Sequence, residues 1–214
     1  MANFDLRNCD CMDLMREFPD KHFELAIVDP PYGIGAGCES FKNGSSKTEK
    51  PYFRKIDWDS VQPKKEYFEE LFRVSKNQII WGGNYFPSIW SNGCRGFIFW
   101  DKTIHGNSYA DGELAWTSFN RVARCFIENI AQTTSEGRIH PTQKSVKLYK
   151  WLLHNYAKQG DKILDTHLGS GSIAIACHQM GFDLTGSELD KEYFDAMQKR
   201  INEETKQQDL FSIA

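Results

Sequence analysis

Short apolar runs alternate along the chain with segments of helical periodicity. Leu25–Val28 has the pattern of a strand buried on both faces, and further runs predict strands at Phe4–Asn8, Gln78–Trp81, Phe97–Trp100, Leu114–Phe119, Val122–Ile127, Lys162–Asp165 and Leu184–Glu188. Apolar spacing of three and four predicts helices between Asp10 and Pro19, over Pro63–Ser75, from Lys144 to about Ala157, over Ile173–Met180 and over Lys191–Glu204. This alternation indicates an α/β protein with a doubly wound, mostly parallel sheet and an antiparallel edge strand.

Composition indicates an ordinary globular protein. A chain of 214 residues can bury a substantial core, so we expect residues 1–214 to form one domain. No apolar run approaches the ~20 residues that span a bilayer, and the first residues lack the apolar centre of a signal peptide, so we expect a cytoplasmic protein without a membrane partner. The six cysteines are scattered without a C-x-x-C pair, which favours reduced thiols and predicts no metal site.

Net charge gives little support for a nucleic-acid ligand, but one segment changes that picture. The chain carries a formal charge of −3, although a local basic stripe is enough to contact phosphates. Residues 33–60 are rich in glycine, hydroxyl and charged residues and predict a long active-site loop. This loop contains the basic residues Lys42, Lys47, Lys50, Arg54 and Lys55. A DNA-binding loop and an ordinary solvated loop both fit this composition.

The predicted strand at Leu25–Val28 ends in the sequence Asp29-Pro30-Pro31-Tyr32. Neither proline can donate a hydrogen bond to a neighbouring strand, and each restricts the residue before it to extended geometry. The carboxylate and the tyrosine ring are therefore held at the carboxyl end of a strand, the edge where open α/β sheets bind ligands. A turn that merely ends a strand is the simpler interpretation of the same four residues.

A glycine-rich turn follows the strand at Lys162–Asp165. Gly169 and Gly171 permit a close backbone approach to a ligand, and the N–H groups at the start of the next helix attract anions. Glu188 ends the following strand, where an acidic side chain can bind ribose hydroxyls. The third glycine of G-x-G-x-x-G is absent, which disfavours a dinucleotide and hence a nicotinamide dehydrogenase.

Four segments resemble motifs of the β group of DNA amino-methyltransferases, in that group's order. Asp29–Tyr32 resembles the catalytic motif, and Asp165–Ser172 is similar to the S-adenosylmethionine loop, with Thr166, His167 and Ser172 replacing its usual proline, phenylalanine and threonine. The segment 140–144, His-Pro-Thr-Gln-Lys, resembles a motif that encloses the methionine end of the cofactor, and the segment 8–11 resembles a turn against its adenine. The resemblance covers nearly the whole chain and implies the class I S-adenosylmethionine-dependent methyltransferase fold, Rossmann-like, with a circularly permuted motif order.

The resemblance also implies roles for individual residues. The expected catalytic residues are Asp29, Pro30, Pro31 and Tyr32, with Asp29 ionised near the ordinary aspartate pKa of ~3.9. Thr142 and Lys144 are candidates for the cofactor carboxylate, against the simpler interpretation of a helix N-cap and a solvated lysine. The expected cofactor-binding residues are Asp10, Cys11, Asp29, Thr142, Lys144, Asp165, His167, Gly169, Ser170, Gly171, Ser172 and Glu188.

The implied activity is methylation of the N6 amine of adenine in DNA, with the target base rotated out of the duplex. An N4-cytosine methyltransferase and an inactive cofactor-binding subunit of a methyltransferase complex remain as alternatives. The resemblance further implies a role in DNA modification such as that of restriction-modification systems, a bacterial or phage origin and a homodimer. Only residues 128–139 occupy the place of the family's target-recognition region, which indicates a short or relaxed target sequence, or recognition of the target by the loop at 33–58 or by a second subunit.

Overall fold

The computed structural model describes residues 2–35, 59–90, 93–106, 110–129 and 138–211, with side chains described through residue 206. Within those ranges the strands are β1 (Phe4–Arg7), β2 (Phe23–Val28), β3 (Ser75–Trp81), β4 (Phe97–Asp101), β5 (Gly112–Thr117), β6 (Arg124–Ile127), β7 (Lys162–Asp165) and β8 (Asp183–Ser187). The α-helices are α1 (Cys11–Arg16), α2 (Lys65–Val74), α3 (Val146–Tyr156), α4 (Ser172–Met180) and α5 (Lys191–Phe211), and two short 3₁₀-helices cover Gly83–Tyr85 and Pro87–Trp90. Each predicted strand and helix is present. Helix α5 continues seven residues beyond its predicted end at Glu204, and the other ends differ by at most three residues.

All eight strands form one sheet in the order β1-β8-β7-β2-β3-β5-β4-β6. The first five strands in this order are mutually parallel, and β5 is antiparallel to both of its neighbours, β3 and β4. The outermost strand β6 is parallel to β4. The predicted doubly wound, mostly parallel sheet is therefore confirmed. Its antiparallel strand lies third from the edge, because β5 pairs with β3 and places β4 and β6 outside itself.

Both faces of the sheet are covered by helices. Along β2 the side chains alternate between two apolar clusters, with Leu25 and Ile27 on one face and Ala26 and Val28 on the other. The first cluster includes residues of α3, α4 and α5, and the second includes residues of α1 and α2. This arrangement explains the continuous apolar run in the sequence, since a strand buried on both faces has no polar side.

Local capping chemistry fixes the helix ends that border the site. The Asp10 side chain caps α1 by accepting a hydrogen bond from Met12 N at 2.7 Å. Ser145, and not Thr142, caps α3, and its hydroxyl accepts from Leu148 N at 3.0 Å. The alternative interpretation of Thr142 as the N-cap is therefore wrong. Gly181 ends α4 in the left-handed conformation that glycine adopts without strain.

The carboxyl ends of β2 and β7 form the switch point of the sheet. These strands are neighbours, yet the chain continues from β2 to β3 on one side and from β7 to β8 on the other. Such a divergence leaves a crevice beyond the strand ends, the usual ligand site of open α/β sheets. Asp29 follows β2 and Asp165 ends β7, so the predicted catalytic and cofactor segments meet at this crevice.

Some sequence predictions concern residues outside the described ranges. Most of the predicted loop at 33–60 lies there, with its five basic residues, and so does most of the segment 128–139. Among the described residues, no helix is long and apolar enough to cross a membrane.

Candidate active site

The four residues after β2 turn across the end of the sheet and are held by two aspartates. The Tyr32 hydroxyl donates to Asp29 Oδ1 at 2.5 Å. Asp59 Oδ1 accepts hydrogen bonds from Tyr32 N at 2.5 Å and from Gly33 N at 3.0 Å. The motif is therefore fixed both through its tyrosine side chain and through its backbone.

The Tyr32 ring packs closely against a second tyrosine ring and against a glycine. It stacks on Tyr85 with ring centroids 5.0 Å apart and planes inclined by 16°. Gly82 approaches the same ring so closely that an added Cβ would lie 2.1 Å from its Cε1 atom. Gly82 also has a φ of +67°, which disfavours other residues. This glycine therefore permits the observed position of Tyr32.

Two cavities meet at Asp29. The first, of about 620 Å³, lies over the glycine turn between β7 and α4, and the second, of about 400 Å³, lies beside the Tyr32–Tyr85 stack. Asp29, Thr142 and Lys144 line both cavities. Pro31 faces the first cavity, whereas Pro30 and Tyr32 face the second. The Asp29–Tyr32 motif thus separates two adjoining spaces.

The first cavity collects most of the residues predicted to bind the cofactor. Those on its wall are Asp10, Cys11, Asp29, Thr142, Lys144, His167, Gly169, Ser170 and Glu188. Asp165, Gly171 and Ser172 do not line it and lie behind the turn. Asp165 is buried and accepts from His167 N at 3.0 Å, while the Ser172 hydroxyl lies 3.1 Å from that of Ser170.

The two glycines of the turn are needed for different reasons. Gly169 has a φ of +49° and lies on the cavity wall, as expected for close approach to a ligand. Gly171 has a φ of +72°, and an added Cβ there would lie 2.5 Å from Met197 Cγ of α5. The conformation of Gly171 and the packing of α5, and not a ligand, account for this second glycine. No local sequence pattern indicates this contact between distant segments.

Glu188 connects the end of β8 to the glycine turn. Its Oε2 accepts from Gly169 N and its Oε1 from Asp190 N, each at 2.9 Å. Burial raises the pKa of this carboxyl, although the backbone donors favour its ionised form. Glu188 therefore both shapes the turn and presents a carboxylate to the first cavity.

Two histidines on the wall of the first cavity are neutral at pH 7. Burial lowers the pKa of His167 to about 4, and its Nδ1 lies 2.9 Å from the Thr166 hydroxyl. Burial and the nearby Lys144 and Arg138 lower the pKa of His140 to about 3. The His140 ring packs edge-on against Tyr193, with centroids 4.5 Å apart. His140 and Tyr193 were absent from the predicted set, although His140 belongs to a predicted motif.

Lys144 has different partners from those predicted. Its side chain is 2% exposed, so the alternative of a solvated lysine is wrong. Its ammonium forms an ion pair with Asp29 Oδ2 and lies 3.2 Å from Glu113 Oε2 and 5.1 Å from the Trp81 ring centroid. The charge of Lys144 is thus matched by protein carboxylates, and its contact with a cofactor carboxylate stays a prediction.

The ionisation of Asp29 depends on these neighbours. Burial raises the pKa of this carboxyl, Glu113 raises it further, and Lys144 and the Tyr32 hydroxyl act to lower it. The expectation of an ordinary aspartate pKa is therefore wrong. Burial acts to lower the pKa of Lys144, but the two carboxylates outweigh this effect and raise it.

Glu113 and Lys102 complete the charged wall of the second cavity, and the sequence prediction missed both. Lys102 Nζ lies 2.6 Å from Glu113 Oε1, and both residues line that cavity. Burial acts to raise the pKa of Glu113, but Lys144 and Lys102 outweigh it and lower the pKa to about 2. Glu113 lies on β5 and its partner Lys144 is distant in the sequence. No local pattern could have linked them.

Solved structures with the same architecture define the class of the protein. The chain aligns with the M1.HpyAVI–SAM complex at a TM-score of 0.61 and 19% identity, over 92% of this chain and 99% of that one. It aligns with the PvuII DNA methyltransferase (cytosine-N4-specific) at a TM-score of 0.63 and 11% identity, over 96% and 92% of the two chains. The fold is therefore that of the class I S-adenosylmethionine-dependent methyltransferases.

Sequence comparison then gives the family. A family model described as DNA methylase matches residues 80–199, and the chain belongs to this family of N6-adenine and N4-cytosine DNA methylases. It is 23% identical to type II methyltransferase M2.DpnII of Streptococcus pneumoniae, over 93% of this chain and 90% of that protein. It is 24% identical to the putative methylase YubD of Escherichia coli (strain K12), over 90% and 87% of the two sequences.

The cofactor of this family, S-adenosylmethionine, fits the first cavity. The volume of about 620 Å³ lies in the range of cofactor sites. Its wall combines the carboxylates of Glu188 and Asp10, the open backbone at Gly169 and the apolar side chains of Leu168 and Leu189. This donor set suits a ligand with hydroxyl groups, an amino group and a flat ring.

Proposed function

We propose that this protein methylates the N6 amine of adenine in DNA. The observation that carries the proposal is the position of Asp29 on the wall shared by the two cavities. A cofactor in the first cavity and a base in the second would meet at this carboxylate. Adenine is favoured over cytosine because the motif begins with aspartate, the residue that mostly accompanies N6-adenine activity in the amino-methyltransferases that the sequence resembles.

The second cavity has the chemistry of a nucleobase site. The aromatic side chains of Tyr32, Tyr85 and Phe99 line it, and rings stack on the flat faces of bases. Asp29 and Pro30 lie on the same wall. A base reaches such a recess only after rotation out of the duplex, so base flipping forms part of the proposal.

Asp29 and Pro30 can make the amine of the base a better nucleophile toward the methyl group of the cofactor. The nitrogen lone pair of an exocyclic amine is delocalised into the ring, so the amine is a poor nucleophile. When the Asp29 carboxylate and the Pro30 carbonyl accept its two N–H bonds, the lone pair is directed out of the ring plane. These fixed acceptors stabilise the positive charge that develops on nitrogen, and fixed alignment lowers the barrier further.

The bound cofactor supplies an electrophilic methyl group, and the protein supplies the setting in which the amine meets it. After transfer the nitrogen must lose a proton. Asp29 is suited to accept that proton because burial raises the pKa of its carboxyl. His140 and His167 are neutral and line the first cavity only, so neither contacts the base in this arrangement.

The test is mass spectrometry of nucleosides after incubation of duplex and single-stranded DNA with the protein and labelled S-adenosylmethionine. We expect labelled N6-methyladenine. Labelled N4-methylcytosine would instead assign the cytosine activity. Binding of the cofactor without transfer to either base would favour an inactive partner subunit.

Asp29→Ala is the matched variant for this experiment. We expect it to abolish transfer and to retain cofactor binding, measured by calorimetry, because the rest of the first cavity is unchanged. Transfer by this variant at the parent rate would contradict the role of Asp29. Mapping of methylated sites in the same DNA tests the expected short target sequence, and sedimentation tests the expected homodimer.

A further inference from the structure

A row of alternating charges leads from Asp29 across the wall of the second cavity. Lys144 contacts the Asp29 and Glu113 carboxylates, and Lys102 lies 2.6 Å from the second oxygen of Glu113. The side chains of Lys144 and Lys102 are 2% and 12% exposed, so neither ammonium is solvated like a surface lysine. Two carboxylates and two ammonium groups balance each other before any substrate binds.

The pairing of Asp29 leaves it poorly prepared for a substrate amine. Its Oδ2 is paired with Lys144, and its Oδ1 accepts from the Tyr32 hydroxyl. An amine N–H that donates to this carboxylate therefore competes with the Lys144 ammonium, which is the stronger donor because it is charged. Transfer requires Lys144 to give up part of its contact with Asp29.

Glu113 offers the place to which Lys144 can move. Its Oε2 is buried and lies 3.2 Å from the Lys144 ammonium, within ion-pair distance but without the full geometry of a hydrogen bond. The other oxygen is held by Lys102, which fixes the carboxylate in position. A buried charge lowers stability unless it is well paired, so the incomplete pairing of this buried oxygen indicates a functional role.

We propose that Glu113 is a positioning residue that takes over Lys144 when the amine of the target base binds to Asp29. The inference rests on the proposed role of Asp29 and extends it. The short movement of the ammonium keeps a cation beside Asp29, so the carboxylate stays ionised while one of its oxygens becomes available to the amine. Lys102 holds Glu113 in place throughout.

The pH profile of transfer tests this arrangement. The titratable groups facing Asp29 are Lys144 before α3, Tyr149 on α3, Glu113 on β5, Tyr32 within the motif, Tyr67 on α2 and Asp165 on β7. Transfer requires ionised Asp29, so activity is lost as the pH falls through the pKa of that carboxyl. This loss forms the acid limb of the pH profile. Glu113 acts to raise this pKa and Lys144 to lower it.

Charge-removing variants should move this acid limb in opposite directions. Glu113→Gln leaves Lys144 on Asp29, so we expect kcat to fall at least tenfold and the acid limb to move to lower pH. Lys102→Met lets Glu113 hold Lys144 more tightly, so we expect the acid limb to move to higher pH. Glu113→Asp keeps the charge and should recover part of the lost kcat. Cofactor affinity should change less than threefold in each variant, which also shows that the protein is folded.

Glu24→Gln is the matched control, because Glu24 is a paired glutamate of similar exposure at the opposite end of β2, 29% against 24% for Glu113. Its kcat and acid limb should equal those of the parent. A Glu113→Gln variant with parent kcat, or with reduced kcat and an unmoved acid limb, would overturn the inference. Asp29→Asn, assayed in parallel, separates the two levels, since transfer by this variant at the parent rate would overturn the proposed role of Asp29, on which the inference rests.

Discussion

Replacing Gly82 by alanine should displace Tyr32 and reduce both the stability of the protein and the rate of methyl transfer. The added Cβ would lie 2.1, 2.4 and 2.6 Å from three atoms of the Tyr32 ring, whereas ordinary contact begins at 3.4 Å. Relief of this overlap requires the ring to move by about 1.3 Å, the difference between 3.4 and 2.1 Å. That shift breaks the 2.5 Å hydrogen bond from the Tyr32 hydroxyl to Asp29.

The expected magnitudes follow from two separate costs. A non-glycine residue in the left-handed region costs about 1–2 kcal/mol, and insertion of a methyl group into a packed site costs about 1–3 kcal/mol. The free energy of unfolding should therefore fall by about 2–5 kcal/mol in Gly82→Ala. A displacement of about 1 Å in a catalytic group is expected to reduce kcat on the order of 100-fold.

Gly160→Ala isolates the backbone cost. Gly160 has a φ of +88° and no atom within 4 Å of an added Cβ, so this variant should lose about 1–2 kcal/mol and keep the parent kcat. Urea unfolding measures the stabilities, transfer of labelled methyl groups to DNA measures kcat, and calorimetry checks that cofactor affinity is retained. If both variants keep the same kcat, the position of the Tyr32 ring does not control transfer and the reasoning fails.

Three further experiments test other parts of the structure. Burial raises the pKa of Asp165 to about 8 from an ordinary ~3.9. Between these two pH values the folded parent binds a proton that the unfolded chain lacks. The free energy of unfolding of the parent should therefore fall by up to ~1.4 kcal/mol for each pH unit of increase. Asp165→Asn lacks this pH dependence, so it should gain stability relative to the cofactor-free parent as the pH rises to about 8. Urea unfolding at pH 5, 6.5 and 8 measures both proteins, and a difference in unfolding free energy that stays constant over these pH values would contradict the prediction. Gly171→Ala should lose about 2–5 kcal/mol through its φ of +72° and its overlap with Met197. Met197→Ala removes the overlapping atoms, so the double variant should lose less than the sum of the two single losses, and strictly additive losses would exclude the contact. Ser145→Ala removes the α3 cap and the hydrogen bond that this hydroxyl donates to the buried Glu128 carboxylate, so it should cost about 1–3 kcal/mol, and an unchanged thermal midpoint would refute both contacts.

The sequence was sufficient to predict the parts of the structure that depend on local patterns. The alternation of Leu25–Val28 between two buried faces follows directly from its continuous apolar run. Asp29 and Glu188 were located because each lies just after a strand, at the edge where ligands bind. Gly169, predicted to bind the cofactor because its turn joins a strand to a helix, lies on the wall of the first cavity.

The missed features depend on contacts between distant segments. Glu113 and Lys144 meet only after β5 inserts next to β3, and nothing near Glu113 in the sequence marks its partner. The raised pKa of Asp29 likewise results from burial by several elements, so a reference pKa could not predict it. Gly171 was assigned to a ligand because the helix that covers it comes later in the chain.

The pairing of β2 with β7 also determines the stage of folding at which the protein can first bind its cofactor. These strands come from opposite parts of the chain, so their pairing closes a large loop and has a high entropic cost. A partly folded chain that lacks this pairing has no crevice to offer. We therefore expect cofactor binding to develop together with the last cooperative step of refolding, so that partly folded chains do not sequester the methyl donor.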